Sequence, residues 1–146
     1  MQEPGVSKPP LWFVSLSVVA LLWNLAGAFA VVADLMMTPA QVSALPAEQQ
    51  ALYAQRSLWS IIASLVAVGG GTLGCIALLL RRRWALVLFY ASLAGLVLQD
   101  IGIFVVSRSV GQVGVAPLVL QSLVLAIAIG LIFMARLGAR KAWLRS

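Results

Sequence analysis

The sequence predicts an all-α membrane protein, a bundle of four transmembrane helices with a short helical outer loop between the first and second. Three observations predict it. Four apolar runs, Leu11–Ala33, Ser57–Leu80, Trp84–Val106 and Pro117–Ala135, are separated by short connectors. A hydrocarbon core roughly 30 Å thick takes about 20 helical residues to cross, and each run meets that need. Charged residues make up 10% of the chain and hydrophobic residues 62%, with a mean hydropathy of +1.04. A soluble domain is about 25% charged, so this chain could not cover its own surface in water. Finally, the few charges gather at the ends of the runs. No connector is long enough for a separate soluble domain, and the 146 residues read as a single integral membrane domain.

The first run follows Lys8 and holds Trp12 and Trp23. Ala28-Phe29-Ala30 has the form of a signal-peptide cleavage site, but the run continues past it to Ala33, so it reads as a retained span. After it comes the one connector with internal signals, Asp34–Arg56. Thr38-Pro39-Ala40-Gln41 has the pattern of a capping box with proline at the first helical position. Pro46 can open a second short helix with Glu48 in its first turn, where a negative charge suits the helix dipole. Leu45, Leu52 and Tyr53 give the pair an apolar side, so the loop is expected to rest as a helical hairpin on the membrane face. The second run ends at Arg81, Arg82 and Arg83, which form the whole connector to the third. Ser107–Ala116, with Gly111 and Gly114, links the third run to the fourth and reads as a flexible outer loop. The tail Arg136–Ser146 is expected along the inner membrane surface, since anionic lipid attracts basic groups. The two hairpins, Leu11–Leu80 and Trp84–Ala135, show no convincing residue-level repeat.

Basic residues flanking short loops stay cytoplasmic. Lys8, Arg81, Arg82, Arg83, Arg136, Arg140, Lys141 and Arg145 fall on one side of the expected topology, and Arg56 and Arg108 on the other. Both termini are therefore expected in the cytoplasm, and this placement explains the net charge of +6 without a nucleic-acid partner. Trp12, Trp59, Trp84 and Trp143 lie near run ends, where amphipathic rings settle at headgroup level.

Helices in lipid associate through small residues that let backbones approach. Each run carries such a stripe: Ser17, Ala20, Asn24, Gly27 and Ala28 in the first; Ser60, Ala63, Ser64, Ala67, Gly70, Gly71 and Gly74 in the second; Ala91, Gly95 and Gly102 in the third; Ser122, Ala126 and Gly130 in the fourth. Together they predict a compact bundle.

Few residues suit chemistry. The chain has no His, and its one Cys, Cys75, lies inside the second run, which excludes an internal disulfide and His-based triads. No catalytic residue, cofactor site or metal site is assigned. Gly69–Gly74 sits in mid-span and lacks the lysine of a phosphate-binding loop. Asp100 is the one acidic residue inside a run, six residues from Val106 and so about 9 Å from the outer end. Membrane-embedded acids serve ion coupling, or are paired or hydrated. A helical wheel turns Asp100 away from Gly95 and Gly102, toward a second helix, a homodimer partner, the outer interface, or a salt bridge with Arg108 or Arg56. Asn24, Gln99, Gln121, Ser64 and Ser122 come from four runs and all fall in the outer half of the bilayer. They either line a small polar cavity or hydrogen-bond between helices.

Leu22-Trp23-Asn24-Leu25-Ala26-Gly27, and Leu78-Leu79-Leu80-Arg81-Arg82-Arg83-Trp84-Ala85 followed by Leu88-Phe89 and Ser92-Leu93, resemble segments of a family of small four-pass bacterial inner-membrane proteins. With the outer loop ending before Trp59, the likeness covers nearly the whole chain. The family has no established activity, although its members are sometimes loosely labelled sugar transporters. The resemblance implies a bacterial inner membrane and four helices, and nothing about substrate. The resulting expectation is a non-enzymatic interaction or accessory protein in the lipid bilayer, with a homodimer or membrane-protein partner. The alternative is a small oligomeric transporter or channel using Asp100 and the outer-half polar residues.

Overall fold

The computed structural model describes residues 7–110 and 115–145, with the backbone alone for 106–110, 116 and 117. Six helices follow in order: α1 Leu11–Leu35, α2 Pro39–Ser43, α3 Ala47–Ala54, α4 Leu58–Leu79, α5 Ala85–Val110 and α6 Val115–Arg140. Four of them, α1, α4, α5 and α6, are long and apolar enough to cross a membrane. Large apolar side chains such as Leu22, Phe29, Val87 and Phe133 cover the outside of these helices. Water would penalise that surface and a bilayer would not. The fold is an all-α four-helix membrane bundle, and the chain is a multi-pass membrane protein.

Local chemistry sets the helix ends. Pro10, in extended conformation, precedes α1. The Thr38 capping box forms as the spacing requires: Gln41 N–H donates to Thr38 Oγ1 at 3.3 Å, and Thr38 N–H donates to Gln41 Oε1 at 2.8 Å. Pro46 caps α3, with Glu48 in the first turn. The Gln50 side-chain amide donates to the Leu45 carbonyl at 2.7 Å and the Ser43 carbonyl at 3.0 Å, so α2 and α3 form the expected hairpin, and α3 packs against α5.

The core of the bundle is the α4–α5 pair, with α1 laid on α4 and α6 on α5. Glycines bring α4 and α5 together. A Cβ added at Gly95 would lie 2.7 Å from the Ala63 carbonyl oxygen and 2.8 Å from the Ala67 nitrogen. One at Gly70 would lie 2.9 Å from the Leu88 carbonyl oxygen. Across this close approach the Ser92 hydroxyl donates to the Ala67 carbonyl at 2.5 Å. At such a contact only a residue without a side chain lets backbones meet.

At the end carrying Arg81–Arg83, three chain segments interlock. Arg83 N–H donates to the Arg145 carbonyl at 2.9 Å, and Arg82 pairs with Arg145 in a parallel bridge. Ser7 N–H donates to the Ala142 carbonyl at 3.1 Å. Beneath this layer Phe13, Leu78, Ala135 and Leu144 are buried in one cluster, and Phe13 and Trp143 meet edge to face at 5.2 Å. The basic end of the bundle is thus sealed.

Several expectations are corrected. The tail is more structured than a charged strip: α6 continues through Arg140, and residues 141–145 turn back across the basic end so that Leu144, at 2% exposure, plugs the bundle. The apolar cluster outweighs the flanking charges there. The second outer loop is shorter than expected, because 107–110 still belong to α5 and 115–116 to α6. Gly111 and Gly114 lie outside the described residues. The α6 stripe points away from its neighbours: Ser122, Ala126 and Gly130 are exposed, and a Cβ at Gly130 would meet nothing within 4 Å. α6 instead packs through its Leu131, Ile132 and Ala135 face. Ala91, placed in the α5 stripe, is exposed for the same reason: a helix has more than one narrow face, and only one of them meets α4.

Candidate functional site

α1 and α6 converge at the basic end, where Phe13 lies against Gly138. Toward the loop end each follows its own neighbour, α1 on α4 and α6 on α5, and a cleft opens between them. Its volume is about 290 Å³. Trp23, Gly27 and Val31 of α1 form one wall; Gln121, Val124 and Ala128 of α6 form the other. Gly71, Phe89 and Ser92 supply part of the floor, and Leu131 closes it toward the basic end.

Three of the residues singled out in the sequence meet in this cleft: Asn24, Gln99 and Gln121. The Asn24 amide donates to the Ala20 carbonyl at 2.8 Å and to Cys75 Sγ at 3.6 Å, and its oxygen lies over Gly71, in space that any side chain there would take. The Gln121 amide donates to the Asp100 carboxylate. Asp100 therefore faces α6, on the side of α5 away from the Gly95 and Gly102 contact with α4, and it stands behind the cleft wall. Arg56 does not reach Asp100 because it is engaged by Asp34. The Arg108 side chain lies outside the described residues.

The other two residues do not join the cleft. The Ser64 hydroxyl donates to its own helix at the Ser60 carbonyl, 3.0 Å away, and lines a second cavity nearer the loop end. Ser122 is exposed, and its hydroxyl donates to the Leu118 carbonyl at 2.8 Å. Serine hydroxyls in apolar helices commonly satisfy themselves on the preceding turn, which removes the need for an interhelical partner.

That second cavity, about 270 Å³, is lined by Asp34, Arg56, Ser60, Ser64 and Gln99 among others. Gln99 and Val31 border both cavities, so the two adjoin. The Arg56 guanidinium and the Tyr53 hydroxyl both donate to the Asp34 carboxylate, and Arg56 also lies 4.5 Å from the Tyr53 ring centroid. The hydrogen bond to Asp34, with burial and the carboxylate charge, raises the Tyr53 phenol above its ordinary value, while Arg56 lowers it by a smaller amount. Sequence reasoning missed this triad. Asp34 and Arg56 bracket the loop, and that bracketing by opposite charges was its one available signal.

No family model matches the chain, and neither a curated protein nor a solved structure matches it. What the site can do must be read from its own groups. Among the described residues no group of three or more potential metal ligands comes together. The cleft offers amide groups and apolar walls, and the loop-end cavity an ion pair and hydroxyls. Such groups bind and orient a ligand by hydrogen bonding and burial.

The basic residues expected to set topology have structural work as well. Arg81 Nε donates to the Trp143 carbonyl at 2.9 Å, and its guanidinium also reaches the Ser7 carbonyl. Arg83 Nε approaches the Leu144 carbonyl at 3.5 Å. Arg136 lies 5.7 Å from the Tyr90 ring centroid. Arg140 and Lys141 are exposed.

Proposed function

We propose that this is a non-enzymatic protein of the bacterial inner membrane, with both termini cytoplasmic, that works as an accessory protein by binding within the bilayer. The orientation rests on the gathering of Lys8, Arg81–Arg83, Arg136, Arg140, Lys141 and Arg145 at one end. The observation that carries the functional reading is that the cleft is closed at one end. It opens toward the loop end and stops at Leu131, above the Phe13, Leu78, Ala135 and Leu144 cluster. Two of the polar groups within the spans are held inside the bundle: Asp100 is bonded to Gln121, and Asn24 to Ala20 and Cys75. This arrangement suits holding a ligand or partner better than passing one through.

The second reading, a small oligomeric carrier, is favoured by one observation: the two adjoining cavities give a continuous run of space from the loop end to Asn24. Flux measurements in proteoliposomes separate the readings. The accessory reading expects proton flux and flux of small neutral solutes at the background of empty vesicles, for wild type and Asp100→Asn alike. Flux above background that collapses in Asp100→Asn would overturn it in favour of the carrier.

A further inference from the structure

We propose that the cleft between α1 and α6 binds one hydrocarbon chain of a zwitterionic membrane lipid, whose headgroup sits at the Asp34–Arg56 pair. Four features argue for this occupant, independently of whether the protein is an accessory subunit or a carrier.

The first is access. The cleft lies between two lipid-facing helices, and wall residues Trp23 and Leu120 are 39% and 56% exposed. A ligand already in the bilayer can enter sideways. The second is depth. From Trp23 to Asp34 is eleven residues of α1, or about 16 Å, close to half of a hydrocarbon core roughly 30 Å thick. Asp34 lies next to the last residue of α1, at headgroup level, and Trp23 near the midplane. The site therefore spans one leaflet, the reach of one lipid chain.

The third is size. At about 290 Å³ the cleft is roughly twice an engineered apolar cavity of about 150 Å³ that takes up benzene. The fourth is charge. Asp34 and Arg56 make the loop-end cavity neutral overall but with two poles. An ammonium group complements the carboxylate, and a phosphate diester complements the guanidinium. A net anionic headgroup would take up Arg56 and leave the Asp34 carboxylate without a cation of its own. Gln99 borders both cavities, so chain and headgroup sites are continuous.

Two glycines supply the test. Gly27 lines the cleft and Gly130 faces away from the bundle, and a Cβ at either would meet nothing within 4 Å. Gly27→Phe therefore fills the cleft, and Gly130→Phe adds the same side chain elsewhere, with helicity followed by circular dichroism in both. The experiment is native mass spectrometry of the delipidated full-length protein with phosphatidylethanolamine or phosphatidylglycerol of identical chains. Wild type and Gly130→Phe are expected to retain one phosphatidylethanolamine, favoured over phosphatidylglycerol by about fivefold. Gly27→Phe is expected to lose that stoichiometric lipid. Asp34→Asn leaves Arg56 unopposed and is expected to shift the preference toward phosphatidylglycerol. Equal retention of both lipids by wild type, no stoichiometric lipid, or retention by a folded Gly27→Phe equal to wild type would each overturn the proposal.

Discussion

Arg81 and Trp143 are joined across 62 positions of sequence by a hydrogen bond of 2.9 Å from the arginine Nε to the tryptophan carbonyl. The bond depends on an unusual backbone. Arg81 has φ of 60°, in the left-handed region that favours glycine, and its N–H and that of Arg82 donate to the Leu78 and Ala77 carbonyls. This is a Schellman cap on α4, with arginine where glycine is usual. α6 ends the same way: Ala142 has φ of 56°, and Ala142 and Trp143 N–H donate to the Ala139 and Gly138 carbonyls. The two caps turn the chain so that the 81–83 connector and the tail run side by side.

The two caps predict substitutions of opposite sign. Ala142→Gly is expected to stabilise the protein by about 1 kcal/mol, because it relieves a left-handed alanine and removes only a methyl group. Arg81→Gly gains the same relief but loses the bonds to Trp143 and Ser7, charged donors worth about 1.5–3 kcal/mol, and is expected to destabilise. Thermal unfolding in detergent, followed by circular dichroism, checks both. A rise in stability for Arg81→Gly would mean that its side-chain bonds contribute less than the relief of the left-handed backbone.

The α4–α5 contact predicts that Gly95→Ala costs about 2 kcal/mol or more, because the added carbon meets backbone atoms of Ala63 and Ala67 that cannot swing aside. Gly130→Ala, in open space, is expected to be neutral or to stabilise by up to about 1 kcal/mol through helix propensity. The same unfolding assay compares them. Equal effects at the two positions would contradict the assigned α6 face.

The loop-end triad predicts a pH dependence. The Tyr53 phenol is raised above its ordinary 10.0, chiefly by donating to Asp34. A group raised on folding contributes its stability below its unfolded value and loses it as pH rises through the folded one. The tie between α1 and α3 is therefore expected to hold unchanged through neutral pH and to loosen only above about pH 10. Tyrosinate absorbance, taken as the difference between wild type and Tyr53→Phe, reads the titration directly. Asp34→Asn should move it down toward the ordinary value, and a Tyr53 that titrates below that value in wild type would contradict the triad.

Features encoded within a few residues were legible in the sequence. The four spans follow from hydropathy alone, and the Thr38–Gln41 box from its own four residues. Pairings between distant segments were not. A helical wheel shows that Ser122, Ala126 and Gly130 share a face of α6, but not that α5 meets the Leu131 and Ile132 face instead. The wheel did turn Asp100 correctly away from Gly95 and Gly102, and only the fold supplied Gln121 as its partner. Leu144 follows Trp143 among the basic residues of the tail, and nothing local tells which of the two is buried. Asp34 and Arg56 are 22 positions apart, with two short helices between them.

The cleft is open at the loop end and sealed at the basic end. The most direct test of this is labelling of single cysteines by a membrane-impermeant maleimide, added from either face, in a Cys75→Ser background. Ser64→Cys lines the loop-end cavity and is nearly isosteric; Ala135→Cys sits at 0% exposure in the sealed cluster. Ser64→Cys is expected to be modified only from the external face and Ala135→Cys from neither. Modification of Ala135→Cys at a rate matching Ser64→Cys, from either face, would show an open path through the bundle and contradict the account.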